Sequence, residues 1–315
     1  MTSNAETSLR QQLSDTKWVW MTAALVAQTS WGAHPVIARY LQTVSRLPSF
    51  SLLVLANLGP LLIMVTLFRH KIRREFLQTK LLWAFALIVV VRAITNMLAA
   101  RFTLSIYVQL ITQMTPFLVA LLSATLLKEK LPRFTGWAIT FCLVGALLMM
   151  GSDIGQIETA VAGGRNDWLG IALALTSSLA LAFYMLVVRR TAGDRLNVPA
   201  EVVIIVQMIA VVSFNLVISL VVGESWQRWS EIGRFDWLMF ACLSLGVFFL
   251  ANATQIGAIR HIGAPMVSSM MAWRLVSALI LGALILGERL ESWWQLLGAA
   301  VVLVTITWYL SRQRA

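Results

Sequence analysis

The sequence predicts an all-α membrane protein of ten transmembrane helices arranged as two inverted five-helix repeats. Three observations carry that prediction. The 315 residues are 59% hydrophobic and only 12% charged, with a mean hydropathy of +0.78, against roughly 45–50% apolar and 25% charged in soluble domains. Apolar runs of spanning length recur along the whole chain with short separators. Charged signatures late in the first half return at a fixed spacing late in the second. A soluble enzyme is excluded. At about 20 residues per crossing, ten helices leave roughly 115 residues for connections and no large extramembrane domain.

The polar opening, residues 1–17, contains Glu6, Asp15 and Lys17 and reads as a tail. The apolar run after it is far longer than the core of a cleaved signal, so the first span, 18–41, is expected to stay as an anchor. Runs at 50–68, 81–100, 105–127 and 134–151 complete a first repeat, 18–151. A linker, 152–167, leads to a second repeat, 168–311, with runs at 168–188, 201–222, 236–259, 264–286 and 292–311. Residues 312–315 form the closing tail. The separators are turn-like or charged, among them Arg46 to Pro48, Arg69 to Arg74, Lys128 to Pro132 and Thr191 to Pro199. Trp18, Trp20, Trp83, Trp168, Trp237, Trp293, Trp294 and Trp308 fall near span ends, where the amphipathic indole favours the headgroup layer. Cys142 and Cys242 lie in apolar runs without a CxxC neighbour and read as small core residues, with no disulfide or metal signal.

The net charge of +11 reads as topology and not as nucleic-acid binding. With the N-terminus cytoplasmic, 16 of the 25 Lys and Arg fall on inside segments, 7 on outside segments and 2 within spans. This asymmetry places both termini in the cytoplasm of a multi-pass protein of the cell (inner) membrane. The repeat is written in the same charges. Lys128-Glu129-Lys130-Leu131 matches Gly287-Glu288-Arg289-Leu290, and Arg101 matches Arg260, both at an offset of 159. An offset of 150 pairs Arg39 with Arg189 and Asn57 with Gln207. Five helices separate the copies, an odd number, so the second half threads the membrane upside down. Inverted repeats of this kind mark secondary transporters, with binding sites near the midplane between the halves.

These features resemble the EamA-type branch of the drug/metabolite transporter superfamily. The residues that carry the resemblance are Ser30-Trp31-Gly32, Ala99, Arg101, Pro116, Glu129-Lys130-Leu131, Tyr184, Arg189-Arg190, and the stretch from Ala258-Ile259-Arg260 through Gly287-Glu288-Arg289-Leu290 to Gly298. The resemblance implies a cavity lined by helices 1 to 4 and 6 to 9, peripheral helices 5 and 10, and alternating access by rocking of the halves. One position departs from the pattern. Where the family often has Pro thirteen residues before the second-half Glu, as Pro116 precedes Glu129, this chain has Leu275, preceded by Arg274. A basic residue there is similar to the phosphate-binding Arg of the triose-phosphate translocators of the same superfamily.

Charge at the membrane centre costs at least ~2.5 kcal/mol per residue on insertion scales, so ionisable groups there face a cavity or a partner. Arg92 and Arg274 are such groups, with no Asp or Glu well inside any span. A guanidinium does not shed its charge, so the natural counter-ion is a carboxylate or phosphate on the substrate, held in a bidentate fork; bonding to backbone carbonyls or snorkelling is the alternative. Asn96 follows Arg92 at i+4; Gln109, Gln113 and Pro116 stack on the fourth span, Asn252 and Gln255 on the eighth, Met270, Arg274 and Ser277 on the ninth. Together they line one wet surface or form interhelical hydrogen bonds, and for any single amide the second is the more usual role. Trp31, Phe183, Tyr184 and Trp273 are candidate aromatic walls, and His34 is the embedded group that titrates near neutrality. Pro35 and Pro116 are candidate hinges, and Asn57 and Gln207 are expected to face each other across the pseudo-two-fold axis.

The expected activity is therefore transport of a small organic solute with an anionic group, by exchange or facilitated diffusion. Proton-driven efflux of cationic drugs is disfavoured, because it needs an intramembrane carboxylate. A passive channel and an intramembrane lipid-headgroup enzyme are the alternatives, the latter disfavoured because the spans carry no HExxH or GxSxG. No cofactor, metal or nucleic acid is expected; the partners are the solute and the bilayer, and the chain is a monomer or a homodimer.

Overall fold

The computed structural model describes residues 2–72, 80–126, 128, 134–151, 157–158, 165–191, 199–262, 267, 270–288 and 292–312. Glu129 to Leu131, Pro265, Arg289 and Leu290 lie outside the described residues, as do the side chains of Arg189, Arg190 and Arg260. The helices are α1 (Thr2–Thr43), α2 (Ser49–Phe68), α3 (Lys80–Phe102), α4 (Ser105–Thr112), α5 (Thr115–Leu126), α6 (Thr135–Met150), α7 (Asp167–Thr191) and α8 (Ala200–Val222). They continue with α9 (Arg234–Ala241), α10 (Asn252–Ile262), α11 (Trp273–Leu281) and α12 (Trp293–Arg312). Among the described residues six helical stretches are long and apolar enough to cross a membrane: Ser49–Lys71, Leu82–Phe102, Ser105–Leu126, Asp167–Leu186, Glu201–Val222 and Arg234–Gln255. Thr135–Met150, Trp273–Leu286 and Trp293–Tyr309 are shorter apolar helices.

Four details depart from uniform rods. The tail read at 1–17 is continuous with the first helix from Thr2. The fourth run breaks at Gln113 and Met114, and Pro116 sits in the first turn of α5, where its missing N–H costs no helical bond. The eighth run passes through a ten-residue π-helical stretch, Cys242–Ala251, between α9 and α10. In the linker, Ile157–Glu158 and Arg165–Asn166 form a two-stranded antiparallel ladder. Cys142 is buried as expected, but Cys242, at the start of the π-helical stretch, is exposed on the outside of the bundle.

The halves interleave. α3 packs along α7, and its repeat counterpart, the π-helical stretch with α10, packs along α1. α2 lies against α8, and α6 against α12 at the periphery. At the α6–α12 crossing the backbones touch: a Cβ on Gly298 would lie 2.5 Å from Gly145 O and 2.5 Å from Met149 N. Pro60 lacks the N–H that would bond the carbonyl of Ala56, and Ser244 Oγ from the second half donates to that oxygen at 2.9 Å.

One end of the bundle is tied across the halves by carboxylates. The first turns of α2 and α4 follow Pro48 and Leu104, which offer no side-chain acceptor for the orphan N–H groups of a helix start. The other half supplies it. Glu224 accepts from Phe50 N at 3.0 Å and Ser51 N at 2.7 Å. Glu288 accepts from Ser105 N at 3.2 Å and Ser105 Oγ at 2.6 Å, and pairs with Arg39 at 2.9 Å. Asp236 accepts from Ser45 at 2.7 Å and Tyr40 at 3.0 Å, and Asp167 from Thr103 at 2.7 Å. Arg39 also donates to the carbonyls of Ala100, Arg101 and Thr103. This is the Glu288 face. At the opposite end Lys71, in the 3-10 turn Arg69–Lys71 that follows α2, pairs with Glu201 of α8 at 3.0 Å in a more exposed setting.

Candidate functional site

The site is assembled where α1, α3 and α11 meet. Gly32 lets α11 lie directly on α1: a Cβ there would stand 2.5 Å from Arg274 O and 2.8 Å from Ser277 Cβ. That approach sets Arg274 beside Trp31, one residue before the glycine. From the other side α3 brings Arg92, so both guanidinium groups lie over the Trp31 ring, their carbons 5.9 Å (Arg92) and 5.7 Å (Arg274) from its centroid. An indole face attracts a cation, which eases the approach of two like charges that no carboxylate separates. Pro35 leaves the carbonyl of Trp31 without its helical partner, so the helix is loosened at the same turn.

Around this trio lies a cavity with about 150 Å³ of open room, well above the roughly 10–15 Å³ that a single water needs. Trp31, His34, Pro35, Asn57, Arg92, Asn96, Gln207, Asn252 and Arg274 all line it. Gln109 and Thr112 of α4 and the ring of Phe248 also contribute, with aliphatic side chains from α2, α3, α4 and α8. No Asp or Glu is among the described lining residues.

Much of the amide chemistry points back into the protein. Asn57 and Asn252 donate to the carbonyls four residues earlier, Leu53 and Phe248, at 2.8 Å each. Asn96 donates to Ser177 at 3.3 Å, and Gln207 to the Tyr184 hydroxyl at 3.0 Å. Other donors are orphaned: Trp31 Nε1 and Gln109 Nε2 are buried without a partner. The Arg92 guanidinium has no hydrogen-bond or ion-pair partner among the described residues. Arg274 donates to the amide oxygens of Gln28 and, at 3.4 Å, Gln255. His34 packs edge-on against Phe248, centroids 5.5 Å apart.

The remaining candidates sit away from the lining. Tyr184 stands behind Gln207, with its ring edge-on to Phe85. Gln113 is buried and donates to Met271 O at 2.7 Å, so it joins α4 to the start of α11. Trp273 turns outward, 41% exposed, and donates to Thr29. Gln255 reaches the site through Arg274, and Pro116 lies past the break in the fourth run. Sequence reasoning missed Gln28, which is fully buried, although Gln28, Trp31 and Pro35 share one helix face at i, i+3 and i+7. Phe248 gave no signal in an apolar run, because only the π-helical stretch determines which way it points.

The sequence model of the EamA-like transporter family matches twice, over residues 18–151 and 168–311. The chain belongs to the EamA-like transporter family. No curated protein matches it. A solved structure described only as the crystal structure of a protein superposes with a TM-score of 0.62 at 18% identity, over 94% of this chain and 99% of that one, a likeness of fold. This EamA-like protein is thus a multi-pass membrane protein of a family of small-molecule transporters, built from two copies of one repeat.

Proposed function

We propose that this EamA-like protein is a secondary, alternating-access carrier of a small organic metabolite bearing a carboxylate or phosphate, of the amino-acid or organic-anion class. It crosses the inner membrane ten times with both termini cytoplasmic and works as an exporter or exchanger, with no catalytic step. The observation that carries this reading is the pair Arg92 and Arg274 facing one cavity across Trp31 with no carboxylate in the described lining. A buried and a part-buried cation beside the orphaned N–H groups of Trp31 and Gln109 offer an oxyanion charge-assisted, bidentate bonds and offer an organic cation nothing. The ties at the Glu288 face favour a carrier over a passive channel, because an always-open pore has no use for a part-buried ion pair and carboxylate caps joining its halves at one end.

Arg274→Ala is expected to abolish anion uptake or exchange in proteoliposomes while the purified protein still folds. Wild-type transport rates in that variant would remove Arg274 from the mechanism. The purified wild type is also expected to melt higher with carboxylates or phosphates than without, since a ligand bound only by the native state raises the melting point. Stabilisation by organic cations alone would reverse the charge assignment.

A further inference from the structure

We infer that Gln28 fixes the charge selectivity of the cavity: it positions Arg274 while leaving the guanidinium's charge for the cargo. This rests on the proposed anion-binding role of Arg274. Gln28 is fully buried in α1, one turn before Trp31, and lies behind the cavity wall and not in it. Its Oε1 accepts from Arg274 Nε, and its own Nε2 is buried with no partner. Arg274 is thus gripped at Nε from behind, held more loosely at Nη2 by Gln255 at 3.4 Å, and covered on one face by Trp31. Nη1 has no hydrogen-bond partner among the described residues, and with Nη2, which Gln255 holds at 3.4 Å, it makes up the outer fork of a residue that lines the cavity.

The type of residue at position 28 decides what that fork can bind. Protein interiors usually meet a buried guanidinium with a carboxylate, and a carboxylate on Nε would neutralise it. An amide oxygen gives nearly the same geometry without the charge. The two side chains that hold Arg274, Gln28 and Gln255, are both amides, and Gln28 leaves a donor orphaned to do so. An orphaned buried donor is costly and carries no benefit for packing alone. Its tolerance is explained if an acceptor-only partner, Glu, would disable the site. Gln28 is therefore a positioning residue that acts through Arg274.

The test uses the full-length protein in detergent with benzoate and inorganic phosphate as probes and tetraethylammonium as the cationic control. For whichever anion stabilises the wild type, Gln28→Glu is expected to weaken apparent binding at least tenfold, and Gln28→Met, which removes the acceptor but adds no charge, by only a few-fold. A melting-point cycle of Gln28→Glu, Arg274→Gln and the double variant, without any probe, is expected to be strongly non-additive because the new carboxylate pairs with Arg274. Additive melting points, or anion binding in Gln28→Glu equal to the wild type, would overturn the assignment. If Arg274→Gln loses anion binding while Gln28→Glu keeps it, the carrier reading stands and only the role of Gln28 falls. Stabilisation by tetraethylammonium alone overturns both.

Discussion

The two guanidinium groups of the cavity differ in how they are held, and that difference has measurable consequences. Arg274 is fixed by two amides and an indole; Arg92 shares the indole but has no hydrogen-bond or ion-pair partner among the described residues. Arg92→Lys, which keeps the charge and loses the fork, is expected to lower apparent anion affinity about tenfold, since a charge-assisted hydrogen bond contributes about 1.5–3 kcal/mol. An unchanged KM for an anion the wild type carries would show that Arg92 does not touch the cargo. These two residues were legible in the sequence because a charge inside an apolar run has few physical excuses. The uncharged members were less so. Gln109 and Gln113 share a helix stripe, yet Gln109 lines the cavity and Gln113 bonds Met271 O. Periodicity says which residues share a face, but not which neighbour that face meets.

At the scale of helices, the position of the site depends on how closely two backbones approach. Gly32 is the residue that lets α11 lie on α1, so Gly32→Leu is expected to force the helices apart, shift Arg274 from Trp31 and abolish anion stabilisation. Overpacking of this kind costs about 1–3 kcal/mol, so the melting point should fall as well. A variant with full anion binding would show that the close approach is dispensable. The sequence reveals the helices readily, since runs of apolar residues have one common cause. It conceals their irregularities. The ladder pairing Ile157 with Asn166 joins residues of a polar linker, and the π-helical stretch Cys242–Ala251 carries no Pro or Gly pattern that distinguishes it from an ordinary span. The π-helical stretch does carry one tertiary contact that a sequence pattern does not display, Ser244 reaching the carbonyl left free by Pro60.

For the whole molecule, the Glu288 face is where the halves are fastened. The Glu288 and Arg39 side chains are 7% and 14% exposed, a part-buried pair, and stripping one partner from a fully buried pair costs about 3–5 kcal/mol, less where water reaches it. Glu288→Gln is therefore expected to shift the protein toward a state open at that face. In a background lacking Cys142 and Cys242, Thr112→Cys should react several-fold faster with a membrane-impermeant maleimide added on the Glu288 side when Glu288→Gln is present. Equal reaction rates would show that the pair does not keep this face shut. The repeat itself was legible from charges spaced 159 residues apart, but the cross-half caps were not: Glu224 serves Phe50 and Ser51, which stand more than 170 positions away in the other copy. The glycine crossing of α6 and α12 bears on the same motion. Gly298 there rests on the main chain of Gly145 and Met149, with the Val301 and Val302 methyls packed alongside against Gly145. In the proposed carrier a joint so tight would roll and not slide, a fulcrum about which prising the fastened end apart presses the far end together, so that the solute chamber is never a through-passage.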